Sequence, residues 1–160
     1  MTNVLLSDWD TPFQIAPFDT ISDDDFAPAL NVALDNHKAE VDAIANSDDA
    51  PTFANTIEAL EASGEDLDKV LGTFFTVAGA DSNPTRAALQ RDFSPKLAAH
   101  FAEISSNKTL FARIAAVWDA RDTLDLTAEQ QRVLLLTHRN YVRAGAALDA
   151  ASSPPLRLPL

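Results

Sequence analysis

Apolar residues recur at steps of three and four along most of this chain, a period that fits helices and not strands. Phe26, Leu30, Leu34, His37, Val41 and Ile44 fall on one face of a first helix. Its start is predicted between Ser22 and Asp25, where four oxygen-bearing residues offer caps and put negative charge at the positive end of the dipole. Pro28 is tolerable in a first turn, which pulls the start toward Asp25, and the polar turn "NSDDAP" ends the helix near Asn46. A second helix opens at Thr52, after Pro51. Phe53, Ile57, Leu60, Gly64, Leu67, Leu71, Phe74 and Ala78 then alternate steps of four and three to about Gly79. Such a repeat marks a narrow seam packed against neighbouring helices. Gly64 on that seam means either a break or a neighbour too close for a side chain. A helical glycine costs only ~1 kcal/mol relative to alanine, and the unbroken seam favours close approach within one continuous helix.

Three more helices follow. Asn83 caps and Pro84 opens the third, lined by Leu89, Phe93, Leu97, Phe101 and Ile104, with a kink expected near Arg91 from Pro95. Asn107 caps the fourth, which carries Leu110, Phe111, Ile114, Val117 and Trp118 to about Arg121. Thr127 and Gln130 have capping-box spacing at the head of the fifth, which runs to about Leu148. No period-2 strand and no Asn-Gly or Asp-Gly hairpin turn interrupts the series. The fold class is therefore all-α: a bundle of about five long antiparallel helices with an extended N-terminal arm. Three stretches are expected: the arm over 1–21, the helical domain over 22–148 and a Pro/Ser-rich disordered tail over 149–160. Pro12 and Pro17 suit an extended arm, and Trp9, Phe13, Ile15 and Phe18 give it apolar side chains with which to dock.

Composition narrows the partners. A chain of 160 residues with 46% hydrophobic and 22% charged residues can bury a core and is not composed like a disordered one. Its formal charge of −12 repels phosphates, and its 12 Lys and Arg are scattered, which argues against nucleic acid. Cysteine is absent, which excludes disulfides, thiolate metal sites and a cysteine nucleophile. The start "MTNVLLSDWDTPF" has no basic segment before its short apolar run, so no signal peptide is expected, and no apolar stretch approaches the ~18 residues of a membrane span. The expectation is a soluble, cytoplasmic protein without membrane or nucleic-acid partners.

Candidate chemistry is sparse. The histidines are His37, His100 and His138, and none has another histidine four residues away, so the His-Glu-x-x-His zinc motif is absent. His37 with Glu40 and His100 with Glu103 share helix faces, but a di-iron bundle needs Glu-x-x-His in the opposite order. There is no Gly-x-Ser-x-Gly elbow and no phosphate-binding glycine loop. Asp23, Asp24 and Asp25 sit where a helix start wants carboxylates. The stretch "HRNYVRAG" (138–145) is basic and aromatic; internal salt bridges are its expected use in an acidic protein, contact with an anionic surface the alternative. No catalytic, cofactor-binding or metal-binding residue is assigned.

At the second helix the sequence resembles a known family. "PTFANTIEALEASGEDLDKV" is similar to the Pro-Thr-Phe-Glu-Asn-Thr-Ile…Ala-Leu-Glu…Ser-Gly signature of the oligopeptidase A, peptidyl-dipeptidase and thimet oligopeptidase family of zinc metallopeptidases. "FAPAL" (26–30), "LAAHFAEISSNKTLFARIAAVW" (97–118) and "LTAEQQRVLLLTHRNYVRAGAAL" (126–148) resemble further stretches of that family in the same order, over about residues 10–148. Ala54 stands where the family has glutamate and Tyr141 where it has phenylalanine. The resemblance implies the N-terminal helices of a mostly helical, two-lobed enzyme that encloses a channel for short peptides. Zinc ligands and catalytic groups in that family lie far downstream, beyond the point near Leu148 where the resemblance stops. A truncated or frameshifted product would read this way. The expected partners are the catalytic part of the peptidase or a second copy of this chain, and the whole enzyme would take short peptides and zinc. A stand-alone helical module that regulates or complements a peptidase in trans is the alternative.

Overall fold

The structure is a computed structural model and describes residues 3–147. Among these residues it is all-helical, as the periodicity predicts. We number α1 (Asp23–Ala45), α2 (a π-helical stretch Phe53–Glu58 that runs into Ala59–Glu61), α3 (Glu65–Ala80), α4 (Pro84–Ser105), α5 (Lys108–Ala120) and α6 (Ala128–Ala144). Short 3₁₀ turns lie at Val4–Leu6, Pro12–Gln14 and Arg121–Thr123.

Side-chain caps fix the helix starts. The hydroxyls or amides of Thr52, Asn83, Asn107 and Thr127 each accept from the backbone N–H three residues on. At α1 the Asp25 carboxylate reaches back to accept from Ser22 N and Oγ at 2.8 and 2.7 Å. The helix therefore starts at Asp23, earlier than Pro28 suggested, and the proline sits in the second turn. Pro95 likewise lies inside α4, which continues through it. α6 stops at Ala144, not Leu148. Gly145 takes φ +91°, and the Ala146 N–H reaches back to the Tyr141 carbonyl at 3.1 Å, a left-handed stop that glycine allows. The expected tail over 149–160 lies outside the described residues.

Two apolar cores share one long helix. Val41 and Ala45 of α1 join Phe53, Ile57, Leu110, Ile114, Val117, Leu134 and Tyr141 in the first. The N-terminal half of α1 (Phe26, Ala29, Leu30, Ala33) joins Leu67, Val70, Phe74 and Phe93 in the second. Phe74 stands at the centre of an aromatic set, with Phe26, Phe75 and Phe93 at centroid distances of 5.1, 5.2 and 4.9 Å. The arm docks through Trp9, as expected, but not through Phe13, Ile15 or Phe18. Leu5 is fully buried in the second core with Val4, Leu6 and Trp9 around it, whereas Phe13, Ile15 and Phe18 are exposed. No described helix is long and apolar enough to cross a membrane.

The second predicted helix is two helices. Gly64 has φ +80° and ψ 19°, the left-handed conformation that ends α2 and precedes α3. The predicted close approach is also present: a Cβ at Gly64 would lie 3.2 Å from the His37 ring. Both alternatives posed by this glycine are true at once.

Candidate functional site

Where α1, the α2–α3 turn and α4 meet, the structure gathers polar groups that lie far apart in sequence. His100 Nε2 and His37 Nδ1 are 3.0 Å apart, and His37 Nε2 lies 3.4 Å from Ser63 Oγ. Ser63 Oγ donates to the Leu60 carbonyl at 2.7 Å, and Gly64 N–H donates to Glu40 Oε2 at 2.7 Å. Across the same interface Lys38 pairs with Glu103, and within α1 it lies 3.9 Å from Asp42. Phe101 packs edge-on against both imidazoles.

One order of donors satisfies every contact. His100 Nε2–H donates to His37 Nδ1, His37 Nε2–H donates to Ser63 Oγ, and the Ser63 hydroxyl donates to Leu60. The reverse order would strip the Leu60 carbonyl of its short bond. Burial lowers the pKa of both histidines. At His37 the carboxylates of Glu40 and Asp68 oppose that shift. At His100 the His37 charge adds to it and Glu103 opposes it. The contact requires one donor and one acceptor, so the pair holds at most one extra proton.

Serine, histidine and a second histidine in line have the connectivity of an activated nucleophile, and the donor order above works against that use. His37 donates to Ser63 and so does not take its proton. The nearby Gly64 N–H, which could have stabilised an oxyanion, is filled by the Glu40 carboxylate. The cluster is a polar clasp between helices. Nor do these residues fit a metal: among the described residues no group of three or more His, Cys, Asp or Glu side chains could hold one.

The signature residues build a second polar hub. Asn55 Oδ1 accepts from Thr52 N at 2.8 Å, Thr56 Oγ1 at 2.9 Å and Arg113 Nη2 at 3.2 Å, while its Nδ2 donates to the Ala50 carbonyl at 3.0 Å. Arg113 is buried and its Nη1 also donates to the Ser47 and Asp49 carbonyls at 3.0 and 2.9 Å. This one guanidinium ties α5 to the α1–α2 loop and to the start of α2. The sequence motifs around Asn55 and Arg113 are therefore two halves of one structural joint, which spacing alone could not reveal.

The basic stretch 138–145 is used differently than expected: among the described residues none of its cations makes a salt bridge. Instead His138 stacks on Trp118 at 4.7 Å with the planes 5° apart, and on Phe111 at 5.7 Å. The Arg121 guanidinium also lies over the Trp118 ring, 4.4 Å from its centroid. Asp23 does more than sit at a helix start. It accepts from Asn83 Nδ2 at 2.9 Å and Arg86 Nε at 2.7 Å, and these bonds hold its carboxyl below the ordinary value.

Among the described residues the geometry defines an all-α region whose motif residues serve as scaffold. Dipeptidyl carboxypeptidase of Salmonella typhimurium is 40% identical over 157 residues, 98% of this chain and 23% of that protein. Its counterpart named dipeptidyl carboxypeptidase in Escherichia coli is 37% identical over 147 residues, 92% of this chain and 22% of that protein. The chain thus spans less than a quarter of the length of the relatives it matches. No protein-family profile matches it.

Proposed function

We propose that this chain is the N-terminal helical region of a zinc-dependent peptidyl-dipeptidase, an enzyme that removes dipeptides from the carboxyl ends of short peptides. The observation that carries the reading is the match at 40% identity across 98% of the chain to a protein more than four times longer. Within that enzyme the helices form a wall of the peptide-holding channel. In this reading zinc and the groups of the hydrolytic step come from the part of the enzyme that this chain does not match; among the described residues no group of three or more His, Cys, Asp or Glu side chains could hold the metal. The Asn55–Arg113 joint and the histidine clasp keep the wall rigid.

The test is a fusion of residues 1–147 to the unmatched part of the E. coli enzyme, assayed for dipeptide release with and without a chelator. Chelator-sensitive release by the fusion, and none by the 160-residue chain, is the expected outcome. A soluble fusion without activity, or zinc-dependent turnover by the chain alone, sinks the proposal.

A further inference from the structure

The arm between Asp10 and Ile21 is anchored at both ends yet holds its large side chains in solvent. On the upstream side Leu5 is fully buried, Trp9 Nε1 donates to the Val4 carbonyl at 2.8 Å, and Lys69 Nζ lies 4.3 Å over the Trp9 ring. Downstream, Ile21 packs on the second core. Between these anchors Phe13 is 96% exposed, Ile15 57% and Phe18 47%.

The backbone enforces this display. Phe13 and Gln14 have φ of +60° and +55°, and Gln14 N–H donates to the Thr11 carbonyl at 2.9 Å to close the turn. The left-handed region costs an L-residue roughly 1–2 kcal/mol. Phe18, further along, lines a mostly apolar cleft of about 300 Å³ with Ile21, Phe26, Val77 and Ala80, beside the Arg86 guanidinium paired to Asp23 and Asp81. A projecting aromatic beside an apolar recess is the form of an interface anchor.

What covers it follows from the length of the relatives. The match to the Salmonella protein takes in 98% of this chain, so the arm is part of it, and more than three quarters of that protein is left over. We infer that the arm is a docking element for that remaining part: Phe13 enters a recess there, and the cleft beside Phe18 receives an apolar side chain in return. The inference rests on the functional reading above and names the surface through which it operates.

The experiment places benzoylphenylalanine at position 13 and, separately, makes Phe13→Ser and Phe18→Ser, in both the 160-residue chain and the fusion. The expected result is a photo-crosslink from position 13 into the E. coli-derived part. Phe13→Ser should leave the thermal midpoint of the 160-residue chain unchanged and lower that of the fusion by several degrees. Crosslinks confined to residues 3–147, crosslinks between two copies of the chain, or equal effects in both settings overturn it. If the fusion is insoluble, the unmatched E. coli part expressed separately replaces it. Failure to co-purify with this chain, or co-purification indifferent to Phe13→Ser, then counts against docking. A fusion that releases dipeptides without the crosslink defeats the docking inference alone. An inactive fusion that crosslinks as expected defeats only the functional reading.

Discussion

Gly64 meets two demands that no other residue satisfies together. Its φ of +80° disfavours any L side chain, and the His37 ring stands 3.2 Å from where a Cβ would be. Gly64→Ala should cost about 1–2 kcal/mol from the backbone alone, plus whatever displacing the imidazole requires. Urea denaturation checks this, and repeating the substitution in a His37→Ala background separates the parts: the loss should shrink there without vanishing. An unchanged midpoint in the native background would remove both the turn and the crowding. The same histidine gives the fold a pH dependence. His37 and His100 titrate below their ordinary 6.5 because they are buried. Between that value and the lowered ones the unfolded chain therefore binds more protons than the native one. The histidine contribution is fully present above pH 6.5 and is lost as the pH falls through the lowered values. Asp23, held below its ordinary 3.8, adds a second loss only in stronger acid. Denaturation at pH 7.5, 6.5 and 5.5 should show falling stability, and His100→Gln should flatten the slope. A native profile flat over that range would contradict the clasp.

Among the elements, α2 depends most on groups outside itself. It begins as a π-helix over Phe53–Glu58, and Asn55 at its head bonds to Ala50, Thr52, Thr56 and Arg113. Removing such a hub leaves several partners unsatisfied at ~1–3 kcal/mol for each buried group, so Asn55→Ala should lower stability by about 2 kcal/mol or more. Arg113→Met should be coupled to it, because the two side chains share a bond and a loop. A double-mutant cycle with strictly additive losses would show that the joint is not one unit. Helix starts were legible because a cap is a local matter: Thr52, Asn83, Asn107 and Thr127 each bond within their own first turn. The break at Gly64 was not. The sequence spacing from Leu60 to Leu67 runs on unbroken through Ala62, Ser63 and Gly64, although Leu60 packs on the first core and Leu67 in the second. The arm misled in part: Phe13 is strongly apolar, but the turn at Pro12–Gln14 leaves it in solvent, while Leu5 and Trp9 make the contact with the second core. The clasp and the Asn55–Arg113 joint span 63 and 58 residues of sequence, so only the packing of α1 on α4 and of α5 on α2 brings them together.

For the whole molecule, the question is whether two cores behave as one domain. α1 supplies Phe26, Ala29, Leu30 and Ala33 to one core and Val41 and Ala45 to the other, with His37 between them. A helix cannot lose half of its packing while the rest keeps its register without giving up the clasp and the Lys38–Glu103 pair as well. The two cores should therefore unfold in one transition. The chain carries its own probes, since Trp9 borders the second core and Trp118 the first, and there are only these two tryptophans. In Trp9→Phe and Trp118→Phe variants the remaining indole reports one core, and the two urea midpoints should coincide once each variant's own stability is allowed for. Leu5→Ala sharpens the test, because Leu5 is fully buried in the second core and touches nothing of the first. Truncating a buried leucine costs ~2–5 kcal/mol. If α1 couples the cores, that loss must appear at Trp118 as fully as at Trp9. A shift seen by Trp9 alone would mean that the arm, α3 and α4 can come away from α5 and α6, and that α1 is a hinge between two units instead of the beam of one.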